Sequence, residues 1–312
     1  MNQRTIKIGT RGSELALWQA NEVQTFLKKA FPEVEIEIVV IKTKGDIILD
    51  VALSKIGDKG LFTKEIEQAL LAGEIDLAVH SLKDMPTELP EGLSLGGVLP
   101  RGEVRDVFLS RDGRKLAAFT GNDKVGTSSL RRKSQLLNHF PYLDIVDIRG
   151  NVNSRIQKMQ EGHCDGLIMA GAGIQRLGLE HLVSEYLDPT VIMPAVSQGA
   201  ITIEVREDDE DILPYIDGIN DDLTWTMVMA ERAFLRTMEG GCQVPVACRT
   251  LLVDEQRLKI SALVAALDGS KMVRETIECD LEEASEKAIE LALRMLEAGA
   301  ADILKSIRHG DS

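Results

Sequence analysis

The chain has 312 residues, more than one ordinary domain, so two or three domains are expected. Hydrophobic residues make up 44%, enough to fill real cores, while aromatics are only 4% and the formal net charge is -14, a balance that argues against nucleic acid as a partner. No stretch approaches the ~20 apolar residues of a membrane span, and the start Met1-Asn2-Gln3-Arg4 has no signal-peptide apolar run, so a soluble, cytoplasmic protein is expected.

Ile6 to Gly9 reads as a strand, followed by a helix opened by Ser13 with a stripe at Ala16, Ala20, Val23 and Leu27. Val34, Ile36, Ile38 and Val40 predict a strand with one apolar face. Thr63 then caps a helix that runs through Leu70 and stops at Gly73. The apolar run Ile75 to Val79 and the segment Leu93 to Val98 complete an α/β pattern with crossovers long enough for parallel strands.

Pro100-Arg101-Gly102 reads as a linker, after which the plan starts again. Val107 to Leu109 is a strand, a turn at Gly126 opens a helix, Ile145 to Ile148 is a strand, a helix surrounds Ile156, and Gly166 to Met169 is a strand. Both halves contain a strand, a Gly-Thr turn and a helix without a constant repeat offset, which suggests two similar lobes with ligand chemistry in a cleft between them. After Pro194, Ala200 to Val205 is a strand and Leu223 to Met238 a helix. Three strand-like runs (Val246 to Leu252, Leu258 to Leu267, Met272 to Glu278) and a helix capped by Asp280 with Glu283 three positions on suggest a small α+β domain.

Four cysteines (Cys164, Cys242, Cys248, Cys279) occur without a C-x-x-C pair, and the five histidines do not cluster with them, so neither a metal site nor a disulfide framework is expected. Only Cys242 has an unusual setting, Glu239-Gly240-Gly241-Cys242-Gln243-Val244-Pro245, where glycines and proline break regular structure. Cations recur at predicted strand tips and helix starts: Arg11, Lys83, Arg131, Arg132, Arg149, Arg155 and Arg176. In Gly126-Thr127-Ser128-Ser129-Leu130-Arg131-Arg132, backbone N–H groups, hydroxyls and two guanidinium groups could converge on a carboxylate or phosphate, although a serine cap followed by solvated arginines has the same sequence. Two cations ~4 Å apart at an effective dielectric of ~20 repel by ~4 kcal/mol, so such a pair is expected to need a permanently bound anion.

Gly126-Thr127-Ser128-Ser129-Leu130-Arg131-Arg132, Arg149-Gly150-Asn151, Ala78-Val79-His80-Ser81-Leu82-Lys83-Asp84 and the Cys242 loop together resemble the porphobilinogen deaminase (hydroxymethylbilane synthase) family. Arg11-Gly12-Ser13, followed by Leu15-Ala16-Leu17-Trp18-Gln19, matches that family's opening motif, and Gly57-Asp58-Lys59-Gly60-Leu61-Phe62 resembles its mobile, lysine-bearing loop. Two departures stand out. Ser197 replaces the usual first glycine of a Pro-Ala-x-Gly-Gln-Gly-Ala run, and Asp58 replaces a frequent glycine.

The resemblance implies an α/β protein: two periplasmic-binding-protein-like lobes with mixed sheets (1–100 with 195–218, and 101–194) plus a small α+β C-terminal domain (219–312). It implies a transferase that joins four porphobilinogen molecules head to tail on a dipyrromethane cofactor, releasing ammonia at each step and hydroxymethylbilane by final hydrolysis. Cys242 would carry the cofactor through a thioether, and Asp84 would be the catalytic carboxylate, stabilising the cationic azafulvene left when ammonia departs. Lys83, Asp84, Thr127, Ser128, Ser129, Arg131 and Arg132 would hold the cofactor. Arg11, Ser13, Gln19, Phe62, Arg149, Arg155, Arg176 and Gln198 would bind substrate and the growing chain, with Lys55 and Lys59 on a lid. The family also implies a monomer. Two other readings stay open at this stage: a non-catalytic, two-lobed anion-binding protein, and a cysteine-nucleophile transferase or hydrolase.

Overall fold

The computed structural model describes residues 5–47, 63–238 and 244–308. The first sheet contains β1 (Thr5–Thr10), β2 (Glu35–Val40), β3 (Leu77–Ser81), β4 (Leu93–Val98) and β10 (Ile201–Arg206), in the order β2-β1-β3-β10-β4. β1 pairs in parallel with β2 and β3, whereas β10 is antiparallel to both β3 and β4. Helix α1 (Glu14–Ala30) covers this sheet, because the side chains at its 3.6-residue spacing are apolar. Ala16, Ala20, Val23 and Leu27 are buried as the pattern predicts, and Gln19 is buried with them. Ser13 is its cap, accepting the Ala16 N–H at 3.3 Å. Among the described residues β2 is the edge strand; it starts one residue after Val34, and Val40 is 51% exposed.

A second sheet repeats the plan. It contains β5 (Asp106–Ser110), β6 (Lys124–Gly126), β7 (Asp144–Val146), β8 (Gly166–Ala170) and β9 (Glu185–Tyr186), in the order β7-β6-β8-β5-β9. Here β6, β7 and β8 are parallel and β5 runs antiparallel to β8. In each sheet the antiparallel strand next to the parallel trio is the one the chain forms just after passing from one compact unit to the other. Those units are Met1–Gly102 with Gly199–Trp225, and Glu103–Gln198 with Thr226–Ser312.

The second unit also contains the three-stranded antiparallel sheet β11 (Val246–Leu252), β12 (Arg257–Ala265) and β13 (Met272–Asp280). Its core packs Phe234, Val246, Cys248, Ile260, Ala288 and Leu291. The expected cap at Asp280 is corrected: a 3-10 turn, Leu281–Glu283, follows it, and the helix proper is Ala284–Met295 with Glu283 at its cap position. Thr63 likewise precedes Lys64–Leu71 without a side-chain capping bond, because its backbone is already helical rather than extended. This small sheet joins the β5–β9 lobe through the turn after β12. Asn138 Nδ2 donates to Gly269 O at 2.8 Å, and a Cβ at Gly269 would lie 2.5 Å from the Asn138 backbone nitrogen, so glycine is required there.

Ser197 has φ 60, the left-handed region that glycine adopts freely, and its buried hydroxyl has no hydrogen-bond partner among the described residues. Its N–H donates to Glu231 Oε2 at 2.6 Å, which holds the strained turn in place. Ser197→Gly keeps that bond and removes both penalties, against a larger loss of chain entropy. It is therefore expected to stabilise the protein by about 1 kcal/mol, read from the denaturant midpoint. A lower midpoint would count against the strain argument.

Candidate active site

On the first unit the parallel strands β1 and β3 end at the same edge of the sheet, the usual position for ligand-binding residues in open α/β sheets. The turn after β1 leads into α1, and a single 3-10 turn, Leu82–Asp84, follows β3. Arg11, Ser13, Gln19, Ser81 and Asp84 line one pocket of about 80 Å³ there. Gln19 ties the two elements together, its Nε2 donating to Ser81 Oγ at 2.7 Å. Asp84 is exposed, while Lys83 on the same turn is half-buried.

Beneath this pocket lies a cluster that the sequence patterns did not single out. His80 Nε2 is 3.1 Å from Glu204 Oε2, and both residues are buried. Burial raises the pKa of Glu67 on the helix Lys64–Leu71, and the nearby Glu204 charge adds to the rise. The available signal was an acid inside the apolar strand Ile201–Arg206, since buried charges need partners.

On the second unit, Thr127 to Arg132 form the junction between β6 and the helix Leu130–His139. Their hydroxyls are engaged locally: Thr127 Oγ1 accepts from Ser129 N at 3.2 Å, Ser128 Oγ donates to Ile148 O at 2.9 Å, and Ser129 caps the helix. The Ser128 bond laces this loop to the one bearing Arg149. There Arg155 Nε donates to Gly150 O at 2.7 Å and Asn151 caps the helix Val152–Gln160. Arg176 ends the separate helix Gly171–Arg176.

Arg131 and Arg132 are both buried, with a carboxylate already between them. Asp106 Oδ2 accepts from Arg131 Nη2 at 2.8 Å and its Oδ1 from Arg132 Nη2 at 2.7 Å. The expectation that the pair needs a bound anion to offset its repulsion is thus corrected, because fully buried Asp106 supplies one. Gln198, expected on the substrate, is itself fully buried and donates to Asp106 Oδ1 at 2.9 Å. Burial alone would raise the Asp106 pKa, but the two guanidinium charges and their hydrogen bonds outweigh it and hold the pKa well below the usual carboxylate range.

A depressed folded pKa stabilises the protein above the unfolded value of about 3.9 and loses that stabilisation as pH falls toward the folded value. Asp106→Asn is therefore expected to lose about 3–5 kcal/mol at neutral pH, with the gap to wild type narrowing below about pH 4. Urea unfolding across pH checks this, and a gap independent of pH would contradict it.

Lys55, Lys59, Phe62, Asp58 and Cys242 lie outside the described residues. Cys164, Cys248 and Cys279 are buried and in no disulfide among the described residues, and burial pushes the Cys164 thiol up to about 11. Among the described residues no helix is long and apolar enough to cross a membrane, and no group of three acidic, histidine or cysteine side chains is placed to hold a metal.

The fold and these residues define a protein of two α/β lobes with one strand plan and a small α+β domain. The family model for porphobilinogen deaminase, dipyromethane cofactor binding domain, matches residues 6–214, and that for its C-terminal domain matches 225–297. Porphobilinogen deaminase of Syntrophomonas wolfei subsp. wolfei is 50% identical over 305 residues, covering 98% of this chain and 99% of the relative. That of Desulforamulus reducens is 49% identical over 306 residues, covering 98% and 99%. Among solved structures, the periplasmic aliphatic sulphonate binding protein SsuA from Escherichia coli is similar at 19% identity with a TM-score of 0.40, over 76% of this chain and 71% of that one.

The chain belongs to the porphobilinogen deaminase family. Its activity is that of a hydroxymethylbilane synthase, a transferase, and it carries a dipyrromethane cofactor binding domain. The donors on the second unit suit such a carboxylate-bearing group. Arg132 Nε is buried with no partner among the described residues, and the Leu130 and Arg131 N–H groups precede the first intrahelical bond, Lys133 N to Ser129 O. Two guanidinium charges against one carboxylate leave one positive charge there.

Proposed function

We propose that Asp84 carries the condensation chemistry, with Arg11, Ser13 and Gln19 orienting porphobilinogen, and that a dipyrromethane primer is attached by a thioether at Cys242. Lys83, Thr127, Ser128, Ser129, Arg131 and Arg132 would hold that primer by its carboxylates, the serines and threonine mainly by shaping the loop that presents N–H donors. When bound, the primer supplies the free pyrrole position on which the chain is built.

Porphobilinogen loses its amine as ammonia and leaves a cationic ring. The Asp84 carboxylate accepts that ring's pyrrole N–H and offsets its charge while the new carbon–carbon bond forms. Arg11 meets the substrate's own carboxylates through charge-assisted hydrogen bonds, and Arg149, Arg155 and Arg176 meet those of the lengthening chain. Gln198 acts indirectly, through Asp106. Lys55, Lys59 and Phe62 form the lid, and the protein works as a cytoplasmic monomer.

The convergence of Arg11, Ser13, Gln19 and Asp84 on one pocket carries this reading. Its test is the incubation of purified protein with porphobilinogen, following substrate loss and the porphyrin formed on oxidation. Turnover is expected; binding without consumption would favour a solute-receptor role instead.

A further inference from the structure

Each guanidinium of the buried pair is fixed at two points. Arg131 donates to Asp106 and, through Nη1, to Met193 O at 2.5 Å. Arg132 donates to Asp106 and, through Nη1, to Ile168 O at 3.0 Å. Asp106 is immobile in turn, since its strand β5 pairs with β8 and β9 and its Oδ1 also accepts from Gln198. Residues 193–198 close the frame: Met193 N donates to Gln135 Oε1 at 2.7 Å, and Ser197 N donates to Glu231 on the helix Asp222–Thr237, which precedes Cys242 in the sequence. Further along the chain, Ala247 of β11 belongs to the same buried cluster as Met193.

Neutralising two arginines needs only a nearby charge. Here one carboxylate uses both oxygens to set both planes, so that the remaining donors, Arg132 Nε among them, have fixed directions before any ligand arrives. We propose that Asp106 is a positioning residue for primer capture: it presets Arg131 and Arg132 in the cofactor-free protein so that incoming carboxylates are held while Cys242 reacts. This rests on the reading of Cys242 as the anchor. Capture replaces the C–N bond of porphobilinogen's aminomethyl carbon with a C–S bond to Cys242, the thiol proton leaving on ammonia; a second porphobilinogen then exchanges its aminomethyl C–N bond for a C–C bond to the first ring's free carbon, whose proton leaves with the second ammonia.

The test uses full-length, cofactor-free protein mixed with porphobilinogen, with intact mass followed over time. Wild type should gain the mass of one dipyrromethane, and Asp106→Ala should gain it at least about tenfold more slowly, as expected when a support for a binding group is lost. Formate, a carboxylate small enough for the vacated space, should restore the rate. Capture at the wild-type rate, or formate that raises the melting temperature without speeding capture, would reduce Asp106 to a structural role and overturn the proposal. If Asp106→Ala does not fold even with formate, Asp106→Glu keeps the charge but displaces it by one methylene. It should capture more slowly than wild type, and an unchanged capture rate overturns the proposal. Wild type that gains no mass would sink the Cys242 reading as well, so the two failures are separable.

Discussion

Asp84→Asn is expected to keep its primer and lose nearly all turnover, by about 10²–10⁴-fold. The amide has the shape of the carboxylate, and Asp84 is exposed on a single 3-10 turn, so the fold should be little disturbed. The negative charge is what the reaction needs. The departing ammonia leaves a cation, and a full negative charge beside it offsets that charge far better than an amide dipole can. Intact mass and porphobilinogen consumption on one sample make the check: unchanged mass with a collapsed kcat is the expected result. Near-normal turnover would move catalysis to another group, and loss of the primer mass would recast Asp84 as a holding residue.

The residues legible in the sequence were those whose roles are set by neighbours a few positions away. Ser13 and the stripe Ala16, Ala20, Val23 and Leu27 were read from helix period and capping chemistry alone. The Gly126–Arg132 turn was legible as a helix start for the same reason. What stayed hidden depends on pairing across the chain. Asp106 reads as the first residue of an apolar strand, and nothing local says that Arg131, Arg132 and Gln198, up to 92 positions away, will close on it. Glu204 and His80, 124 positions apart, are the same case. The antiparallel strands β5 and β10 were read as strands but not as neighbours of β8 and β3, because their placement follows from where the chain passes between units. Ser197 was visible as a departure from the family, but its consequence needed a backbone angle.

Cys242→Ser is expected to give a protein whose intact mass equals that of its sequence, whereas wild type is heavier by one dipyrromethane. The argument is one of nucleophilicity. A thiol releases its proton near pH 8.5 and attacks carbon as thiolate, while a serine hydroxyl without an adjacent base stays protonated and forms no ether under the same conditions. No other described cysteine can take over: Cys164, Cys248 and Cys279 are buried, and the Cys164 thiol, at about 11, remains protonated at working pH. The flanking residues Met238 and Val244 belong to the C-terminal core and keep their side chains in the variant, so loss of the primer should not come from loss of that domain's fold. Without a primer to extend, turnover falls to background even though Asp84, Arg11 and Gln19 are intact. Mass spectra of wild type, Cys242→Ser and Cys164→Ser prepared together decide it. The first and third should carry the added mass, and equal masses for wild type and Cys242→Ser would rule out Cys242 as the covalent anchor.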